Sequence, residues 1–480
     1  MKKEKEKIDM KLYNTLTKKV EEFIPNEEGK IKMYTCGPTV YHYQHIGNMR
    51  TYIVEDVFEK TFKYLGYDVK RCMNITDVGH LKSDADTGED KMVIAMEREH
   101  KTSSEIAEFY TNEFKKDCDI LKIKWPEIVV PATSEIDMYI KIIEKLLKEG
   151  YAYESNGNIY FDTSKYDDYY KLSGRTREDL QVANRDDVEE DKNKKNKEDF
   201  VLWFTNSKFG NQELQWDSPF GRGFPGWHIE CSGISIKYLG EYLDLHFGAE
   251  DAVFPHHTNE IAQSEAYLGH KWCNYWVHLS WLLTNNVKMS KSKGHILTAS
   301  KLKEEGYNPL SYRYLILNSY YHKQVNFTYE ALDQAESAYI KLLNKINNID
   351  KDGNLNNELF NKYNEKFKEY LSNDLNTSNC LTLLYDLLKD NEVNGTTKLE
   401  IIKSFDTVLS LDLIDNKDTS IDSDFEKYIM DMIEKRNSAK KNKNYELADK
   451  IRSELLEKKV TIKDTREGTI WELINWQYRA

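Results

Sequence analysis

The sequence predicts an α/β fold: a doubly wound parallel sheet that carries an insertion, followed by an α-helical bundle and a small C-terminal module. Three observations support this prediction. A strand, an amphipathic helix and a second strand follow one another early in the chain, helical periodicity replaces the strand pattern later on, and a basic segment lies near the end. At 480 residues the chain has room for about three domains, and with 40% hydrophobic residues it can bury a large core.

The first βαβ unit opens with an apolar run at residues 31–35 that ends at a Gly-Pro pair. Apolar residues then recur at helical spacing from Met49 to Leu65, and Gly66 stands where a C-terminal cap belongs. A second apolar run at residues 69–75 follows at once. This spacing predicts parallel strands of a Rossmann-like sheet, with a ligand at the carboxyl end of the first strand.

The middle of the chain is predicted to continue the sheet domain around an insertion. Helical periodicity is predicted over residues 102–147, and residues 151–162 are predicted to form a hairpin. Strands are predicted again at residues 242–247, where side chains alternate, and at residues 275–283.

Beyond the sheet domain, leucine, isoleucine and tyrosine recur at helical spacing and predict the bundle. Residues 435–466 then contain eleven Lys or Arg against five Asp or Glu, which gives this segment a net charge of +6. The predicted divisions are residues 1–130 and 221–307 for the two halves of the sheet domain, 131–220 for the inserted connective segment, 308–414 for the helical bundle and 425–480 for the C-terminal module.

Composition excludes several classes of protein. Lys plus Arg is 68 and Asp plus Glu is 81, and the net charge of −13 argues against a protein that coats DNA, because such binding rests on phosphate neutralisation. No apolar run is long enough to span a bilayer, and no apolar region follows the first lysines, so neither a membrane span nor a signal peptide is predicted. The six cysteines are too sparse for a disulfide scaffold. We expect a cytoplasmic protein with neither DNA nor membrane as a partner.

A first candidate motif, His45-Ile46-Gly47-Asn48, lies between the first strand and the long helix. Backbone amides at a helix start favour a phosphate, and Gly47 lets a flat ring approach the backbone. The imidazole of His45 and the amide of Asn48 can stabilise charge that develops on a phosphoryl oxygen. Taken alone, this tetrapeptide is explained better as an ordinary helix N-terminus.

A second motif, Lys288-Met289-Ser290-Lys291-Ser292, follows a predicted strand. Its two lysines are mobile point charges suited to a triphosphate, although a lysine-rich loop can also be merely solvated. Together the two motifs resemble the HIGH and KMSKS signatures of class I aminoacyl-tRNA synthetases. The resemblance implies that His45, Gly47, Asn48 and Lys291 bind ATP, which is accompanied by Mg²⁺, and that His45, Asn48, Lys288 and Lys291 serve catalysis.

Four further residues are candidate metal ligands: Cys36, Cys231, His256 and Glu260. The last two are four apart on a predicted helix that begins near Pro255, so they face one side. Two thiolates, an imidazole and a carboxylate form a plausible tetrahedral zinc set. From the residues alone, core thiols and a surface ion pair remain the alternative, because the spacing is not that of a zinc finger.

Several longer stretches narrow the resemblance to the cysteinyl-tRNA synthetase family. They are residues 33–41, 74–77, 225–231 and 254–263, together with parts of 436–471, so the similarity runs through nearly the whole chain. The family resemblance implies one zinc ion per chain, held by Cys36, Cys231, His256 and Glu260 and joined by the substrate thiol. It also implies that Thr76 and Trp227 line the cysteine pocket and that Asp251 pairs with the ammonium group.

The resemblance further implies a two-step reaction. The cysteine carboxylate attacks the α-phosphate of ATP and releases pyrophosphate, and a terminal hydroxyl of tRNA(Cys) then takes the cysteinyl group. We expect ATP, L-cysteine and tRNA(Cys) as partners of a monomeric enzyme. Two alternatives remain: a ligase that joins cysteine to an amino sugar, and a degenerate paralogue that only binds RNA or zinc. The basic terminal segment argues against the sugar ligase, and the complete lysine pair and ligand set argue against the degenerate paralogue.

Three departures from the family pattern involve four positions. Asn48 stands where the second histidine of HIGH is usual, and Phe224 replaces an arginine before Pro225. Phe247 and Ala249 interrupt a glycine run, which puts the local loop shape before Asp251 in doubt. None of these changes removes a proposed zinc ligand or a signature lysine.

Overall fold

The structure is a computed structural model that describes residues 10–78, 91–176, 192–205, 214–284, 287–288, 296–414, 423–442, 444–458, 460–465 and 468–473. The strands are β1 (Lys11–Asn14), β2 (Lys19–Glu22), β3 (Lys30–Thr35), β4 (Asp68–Ile75), β5 (Ile128–Pro131), β6 (Ala152–Ser155), β7 (Asn158–Phe161), β8 (Phe200–Phe204), β9 (Phe224–Pro225), β10 (Leu243–Ala249), β11 (Cys273–Leu279), β12 (Leu282–Thr284), β13 (Val287–Lys288), β14 (Val325–Phe327), β15 (Val460–Thr465) and β16 (Gly468–Leu473).

The helices complete the element order. They are α1 (Ile46–Tyr64), α2 (Lys91–Glu99), α3 (Ser103–Ile120), α4 (Ile136–Glu149), α5 (Trp227–Leu239), α6 (His256–Leu268), α7 (Ala299–Glu304), α8 (Pro309–Leu317), α9 (Tyr329–Asn347), α10 (Asn357–Ser372), α11 (Thr377–Lys389), α12 (Gly395–Leu409), α13 (Ser423–Lys441) and α14 (Tyr445–Glu457).

The central sheet confirms the predicted fold class. Among the described residues it has five strands in the order β11-β10-β3-β4-β5, and every neighbouring pair is parallel. The chain proceeds outward from β3 through β4 to β5, and then returns to the other side of β3 to add β10 and β11. The order therefore reverses between β3 and β10, and ligands of such sheets bind beyond the carboxyl ends of the strands at this switch point.

The edge strand β5 is a correction to the sequence analysis, which predicted helix throughout residues 102–147. Helices α3 and α4 occupy most of that range, but β5 separates them and pairs with β4. Ile128, Val129 and Val130 are β-branched and are bounded by prolines at 126 and 131, so they favour an extended backbone. The periodicity of the two flanking helices hid this short run.

Further elements lie outside this sheet. Strands β6 to β9 form an antiparallel four-stranded sheet, and the hairpin of β6 and β7 is the one the sequence predicts. Helices α8 to α12 make the C-terminal region helical, as predicted. In the terminal module Arg436 forms two hydrogen bonds to Asp464, which ties α13 to β15. Within the described residues, no helix combines the length and apolar composition needed to cross a membrane.

Phe247 shows how a departure from the family pattern is accommodated. Side chains alternate along β10, so His246 and Phe247 face opposite sides of the sheet. The ring of Phe247 is fully buried against Phe58 of α1, with ring centroids 5.1 Å apart. Strand β10 therefore continues to Ala249, and Asp251 follows in a 3₁₀ turn.

We predict that Phe247→Ala lowers the free energy of unfolding by about 3–5 kcal/mol, because it empties a packed site between β10 and α1. Tyr242→Ala is the matched control, since Tyr242 is 53% exposed, and we expect it to cost less than about 1 kcal/mol. Denaturant titration of both variants measures the difference. Equal losses in the two variants would contradict this account of β10.

Candidate functional site

A cleft of about 830 Å³ opens beyond the carboxyl ends of the central strands, at the switch point. The predicted site residues that line it are Cys36, His45, Gly47, Asn48, Thr76, Trp227, Cys231, Asp251 and His256. Glu260 lies directly behind His256. Lys288 is the last residue of β13, and Lys291 lies outside the described residues.

Four donor atoms converge at the inner end of the cleft. The Sγ atoms of Cys36 and Cys231 are 3.9 Å apart, and Nε2 of His256 is 3.9 Å from the first and 3.7 Å from the second. Oε1 of Glu260 lies 2.9 Å from the same nitrogen. Cys36 follows β3, Cys231 lies on α5, and His256 and Glu260 share one face of α6, as the sequence predicts.

These separations fit a tetrahedral metal site. Zinc–sulfur bonds of about 2.3 Å at tetrahedral angles place two sulfurs about 3.8 Å apart, and zinc–nitrogen bonds of about 2.0 Å place sulfur and nitrogen about 3.5 Å apart. Oε1 of Glu260 is also buried, and its 2.9 Å contact with Nε2 of His256 does not have the geometry of a hydrogen bond. A cation at this point would satisfy that oxygen, so the donor set fits a metal ion.

Hydrogen bonds behind these donors set their orientation. Nδ1 of His256 is 2.8 Å from Nδ1 of His228, and Oε2 of Glu260 is 2.8 Å from Nε2 of His246. If Nδ1 of His256 donates to His228, Nε2 of His256 keeps its lone pair toward the cleft. Outer contacts of this kind fix the tautomer and orientation of a metal-ligating histidine.

His257 adds a fifth donor that the sequence analysis did not identify. Its Nε2 is 3.3 Å from Sγ of Cys36 and 3.9 Å from Oε1 of Glu260. Four residues have possible metal-ligating atoms that all lie close to one another: Cys36, His256, His257 and Glu260. However, Nδ1 of His257 is 2.7 Å from Nε2 of His278, whose Nδ1 is 2.8 Å from Oγ1 of Thr15.

This chain of contacts favours His257 as a hydrogen-bond donor to Cys36. The hydroxyl of Thr15 can donate to His278, His278 to His257, and His257 to the sulfur of Cys36, so that every nitrogen along the path is used once. The sulfur of Cys231 also lies within 4 Å of both Cys36 and His256, so it is close enough to act with them as a metal donor.

Charges in the cluster follow from burial and from the neighbours. Burial works to raise the pKa of Glu260, but the imidazoles of His246 and His256 outweigh it and lower the pKa to about 2. Burial works to lower the pKa of His256, but Glu260 raises it well above its ordinary value. Burial lowers the pKa of His228 and of His257, so both imidazoles are neutral.

The two thiols contact each other, and their pKa values are shifted in opposite directions. Their mutual hydrogen bond, together with burial, raises the pKa of Cys36, and the same hydrogen bond lowers the pKa of Cys231. Because a metal binds cysteine as the thiolate and the pKa of Cys36 is raised, binding of a metal by both sulfurs would release a proton.

Thr76 is held at the wall of the cleft by two buried side chains. Its hydroxyl donates to Oε2 of Glu230 at 2.8 Å and accepts from Nδ2 of Asn74 at 3.0 Å. Oδ1 of Asn74 in turn accepts the backbone N–H of Gly37 at 2.8 Å. The turn after β3, which carries Cys36, and the turn after β4, which carries Thr76, are thus fixed to each other.

The N-terminus of α1 forms another wall of the cleft. Nδ1 of His45 accepts the backbone N–H of Asn48 at 3.0 Å and caps the helix, which leaves Nε2 as the protonated nitrogen of a neutral ring. Oδ1 of Asn48 is buried and accepts no hydrogen bond from the described residues. Backbone amides, an imidazole donor and an amide side chain therefore meet where an anion is favoured.

Trp227 and Asp251 complete the predicted set. The indole ring of Trp227 lies against the imidazole of His256, with centroids 4.4 Å apart. Asp251 accepts a long hydrogen bond of 3.4 Å from the indole nitrogen of Trp281, an additional residue of the cleft that the sequence analysis missed.

The sequence analysis also missed Asn74, which lines the cleft, and the polar residues behind it: His228, Glu230, His246, His257 and His278. The sequence did carry one indication of a histidine cluster, because the chain has only 12 histidines and two of them are adjacent at 256 and 257. Spacing alone could not show that imidazoles from β10, β11, α5 and α6 point into one volume.

Comparison with known proteins places this geometry in context. A family model described as the tRNA synthetases class I (C) catalytic domain matches residues 22–337. The chain is 43% identical to a cysteine–tRNA ligase of Treponema denticola, over 97% of this chain and 100% of that protein. It is 40% identical to a cysteine–tRNA ligase of Clostridioides difficile, again over 97% of this chain and 100% of that one.

A solved structure is similar in fold. Methionyl-tRNA synthetase of Mycobacterium tuberculosis bound by methionyl-adenylate matches with a TM-score of 0.55 at 13% identity, over 81% of this chain and 92% of that one. At this identity the similarity concerns the fold alone.

We predict that Gly248→Ala disturbs the cluster, because a Cβ at this position would lie 2.5 Å from Cε1 of His257. Overpacking of this kind costs about 1–3 kcal/mol of unfolding free energy. The neighbouring change Ala249→Gly is the control and should cost at most about 1 kcal/mol, the backbone-entropy cost of glycine. Denaturant unfolding measures both, and a Gly248→Ala protein no less stable than the control would refute the close approach of His257.

Proposed function

The chain belongs to the cysteine–tRNA ligase family of class I tRNA synthetases, and on this premise we propose that the cleft at the switch point is the site where L-cysteine is activated. The reaction joins cysteine to AMP from ATP and then transfers the cysteinyl group to tRNA. The observation that carries the proposal is the convergence of Cys36, Cys231, His256 and Glu260 in the same cleft as the N-terminus of α1.

The metal end of the cleft suits recognition of the substrate side chain. Zinc bound there would supply a soft acceptor that takes a thiolate in preference to a hydroxyl or a methyl group. Such selection is needed, because a difference of one methylene in an apolar pocket is worth only about 1–3 kcal/mol. Thr76 and Trp227 lie beside the metal donors and would enclose the remainder of the amino acid. Asp251 would pair with its ammonium group.

The α1 end of the cleft suits the phosphates of ATP. The helix N-terminus attracts the negative charge, and Nε2 of His45 can donate to a phosphoryl oxygen on which charge develops. Asn48 can add one amide hydrogen bond. Gly47 keeps the backbone accessible to a flat ring. These groups would hold the α-phosphate near the cysteine carboxylate, and positioning and charge stabilisation together dominate catalysis in reactions of this type.

The remaining assignments rest on the resemblance. Lys288 and Lys291 would hold the pyrophosphate that leaves, with Mg²⁺ accompanying ATP. Residues 425–480 would face the anticodon side of tRNA(Cys), which agrees with the positive net charge of residues 435–466 within this segment. The proposal also includes a catalytic domain with an insertion and a helical bundle. It further includes a monomeric state and a cytoplasmic location.

Cysteine-dependent exchange of pyrophosphate into ATP, followed by transfer of labelled cysteine to tRNA, tests the function. We expect exchange with cysteine but not with serine, and transfer to tRNA(Cys). Exchange without transfer would indicate a cysteine ligase for another acceptor, such as an amino sugar. Neither activity would indicate a binding protein.

We predict that Cys231→Ser lowers zinc content and cysteine activation together, because a hydroxyl is a poor zinc ligand. The loss of metal affinity should exceed the roughly 10–100-fold that follows removal of an outer hydrogen-bond partner. Cys273→Ser is the matched control, because Cys273 is equally buried but lies outside the donor set. Metal analysis and exchange kinetics are measured on both proteins. Full zinc content with normal cysteine activation in Cys231→Ser would overturn the ligand assignment.

A further inference from the structure

Arg50 occupies an unusual environment two residues after Asn48 on α1. Its side chain is 1% exposed, and burial lowers the pKa of its guanidinium. Among the described residues no carboxylate forms an ion pair with it. Instead, the guanidinium donates only to backbone carbonyl oxygens. A buried cation is costly when it lacks a counter-charge, so this arrangement calls for an explanation beyond packing.

The carbonyls belong to two separate segments of the chain. Nη1 donates to the oxygens of Ser280 and Trp281 at 2.5 and 2.9 Å. Nη2 donates to the oxygen of Lys323 at 2.6 Å, with longer contacts to residues 320 and 321 at 3.5 and 3.3 Å. The planar fork of an arginine can span both segments at once, whereas a lysine ammonium is a single point.

Both segments lead into the same small sheet. Ser280 and Trp281 join β11 to β12, and residues 320–323 precede β14. Strands β13, β12 and β14 pair in that order, and Lys288 is the last residue of β13. Further bonds link the two segments, because Ser280 N–H donates to the oxygen of Tyr321 and Val325 N–H to the oxygen of Trp281.

The same two elements carry the proposed ATP groups. His45, Gly47 and Asn48 lie on or beside the first turn of α1, and the sheet of β12 to β14 leads directly into the motif that begins at Lys288. Ser280 and Trp281 also line the cleft. Arg50 therefore links the start of α1 to both segments. These two segments lead into the sheet that bears Lys288.

We propose that Arg50 is a positioning residue for adenylate formation, which fixes the sheet carrying Lys288 relative to the phosphate-binding end of α1. This inference rests on the proposed function. Arg50 touches neither substrate nor metal donors in this arrangement. Its removal should therefore slow the chemical step and leave binding of cysteine and zinc content nearly unchanged.

The test compares Arg50→Lys with Arg313→Lys. Arg313 is also fully buried, and it donates to the backbone oxygens of Leu121 and Leu409 and to Asp56, but it does not line the cleft. Melting temperatures are measured first, and both proteins are assayed well below the lower one. The readouts are kcat and KM in cysteine-dependent pyrophosphate exchange, together with zinc content.

We expect Arg50→Lys to lower kcat by roughly 100-fold, the loss associated with a misplacement of about 1 Å. We expect Arg313→Lys to lower the melting temperature while kcat stays within about twofold of the wild type, since its effect is on stability. A kcat of Arg50→Lys near that of the wild type, or equal losses of kcat in both variants, would overturn the proposal.

A second measurement separates position from stability. In Arg50→Ala, added guanidinium ion should restore part of kcat, whereas ammonium ion at the same ionic strength should not. Equal effects of the two ions, or no effect of either, would contradict the proposal. The wild type is assayed alongside. If the wild type showed no cysteine-dependent exchange, the proposed function would be overturned, and the role of Arg50 would be overturned with it.

Discussion

The parallel pairing of β3 with β10 is the constraint on which the rest of the site depends. These strands are remote in sequence, yet their register sets Tyr34 opposite His246 and Thr35 opposite Phe247. The chain leaves both strands at the same edge of the sheet, so Cys36 and the 3₁₀ turn that follows Ala249 meet at one cleft. Helices α5 and α6 return on the same side and supply Cys231, His256 and Glu260. The proposed metal donors thereby come from three segments that no local pattern connects.

Many titratable groups are buried around the donor atoms, and most of them contact one another. The ionised carboxylate of Glu260 is held between His246 and His256, while His228, His257 and His278 are kept neutral because burial lowers the pKa of each. Neutral imidazoles both donate and accept, so they can extend hydrogen bonds from the donor atoms to Thr15 without adding charge. An apolar lining could not orient the ligands in this way. The polarity of this core therefore follows from the task of holding two sulfurs, a nitrogen and an oxygen at fixed separations.

Much of the fold follows from local sequence patterns. The first βαβ unit, the hairpin of β6 and β7, the helical C-terminal region and the shared face of His256 and Glu260 were all predictable, because each rests on the periodicity of one element. The strand β5 was not, since its three β-branched residues lie between two strongly periodic helices. The histidine cluster and the carbonyl contacts of Arg50 were not predictable either. They depend on which remote segments meet across the sheet, and local patterns carry no information about that pairing.

The proposed role of the donors at the switch point is to hold a metal that selects the substrate thiol. The absorption spectrum of the cobalt-substituted protein tests it most directly, because thiolate-to-cobalt charge transfer reports the number of sulfur ligands. We expect a band from Cys36 and Cys231 that strengthens when L-cysteine is added and is unchanged by L-serine. An unchanged spectrum at saturating cysteine, or the same response to serine, would contradict it.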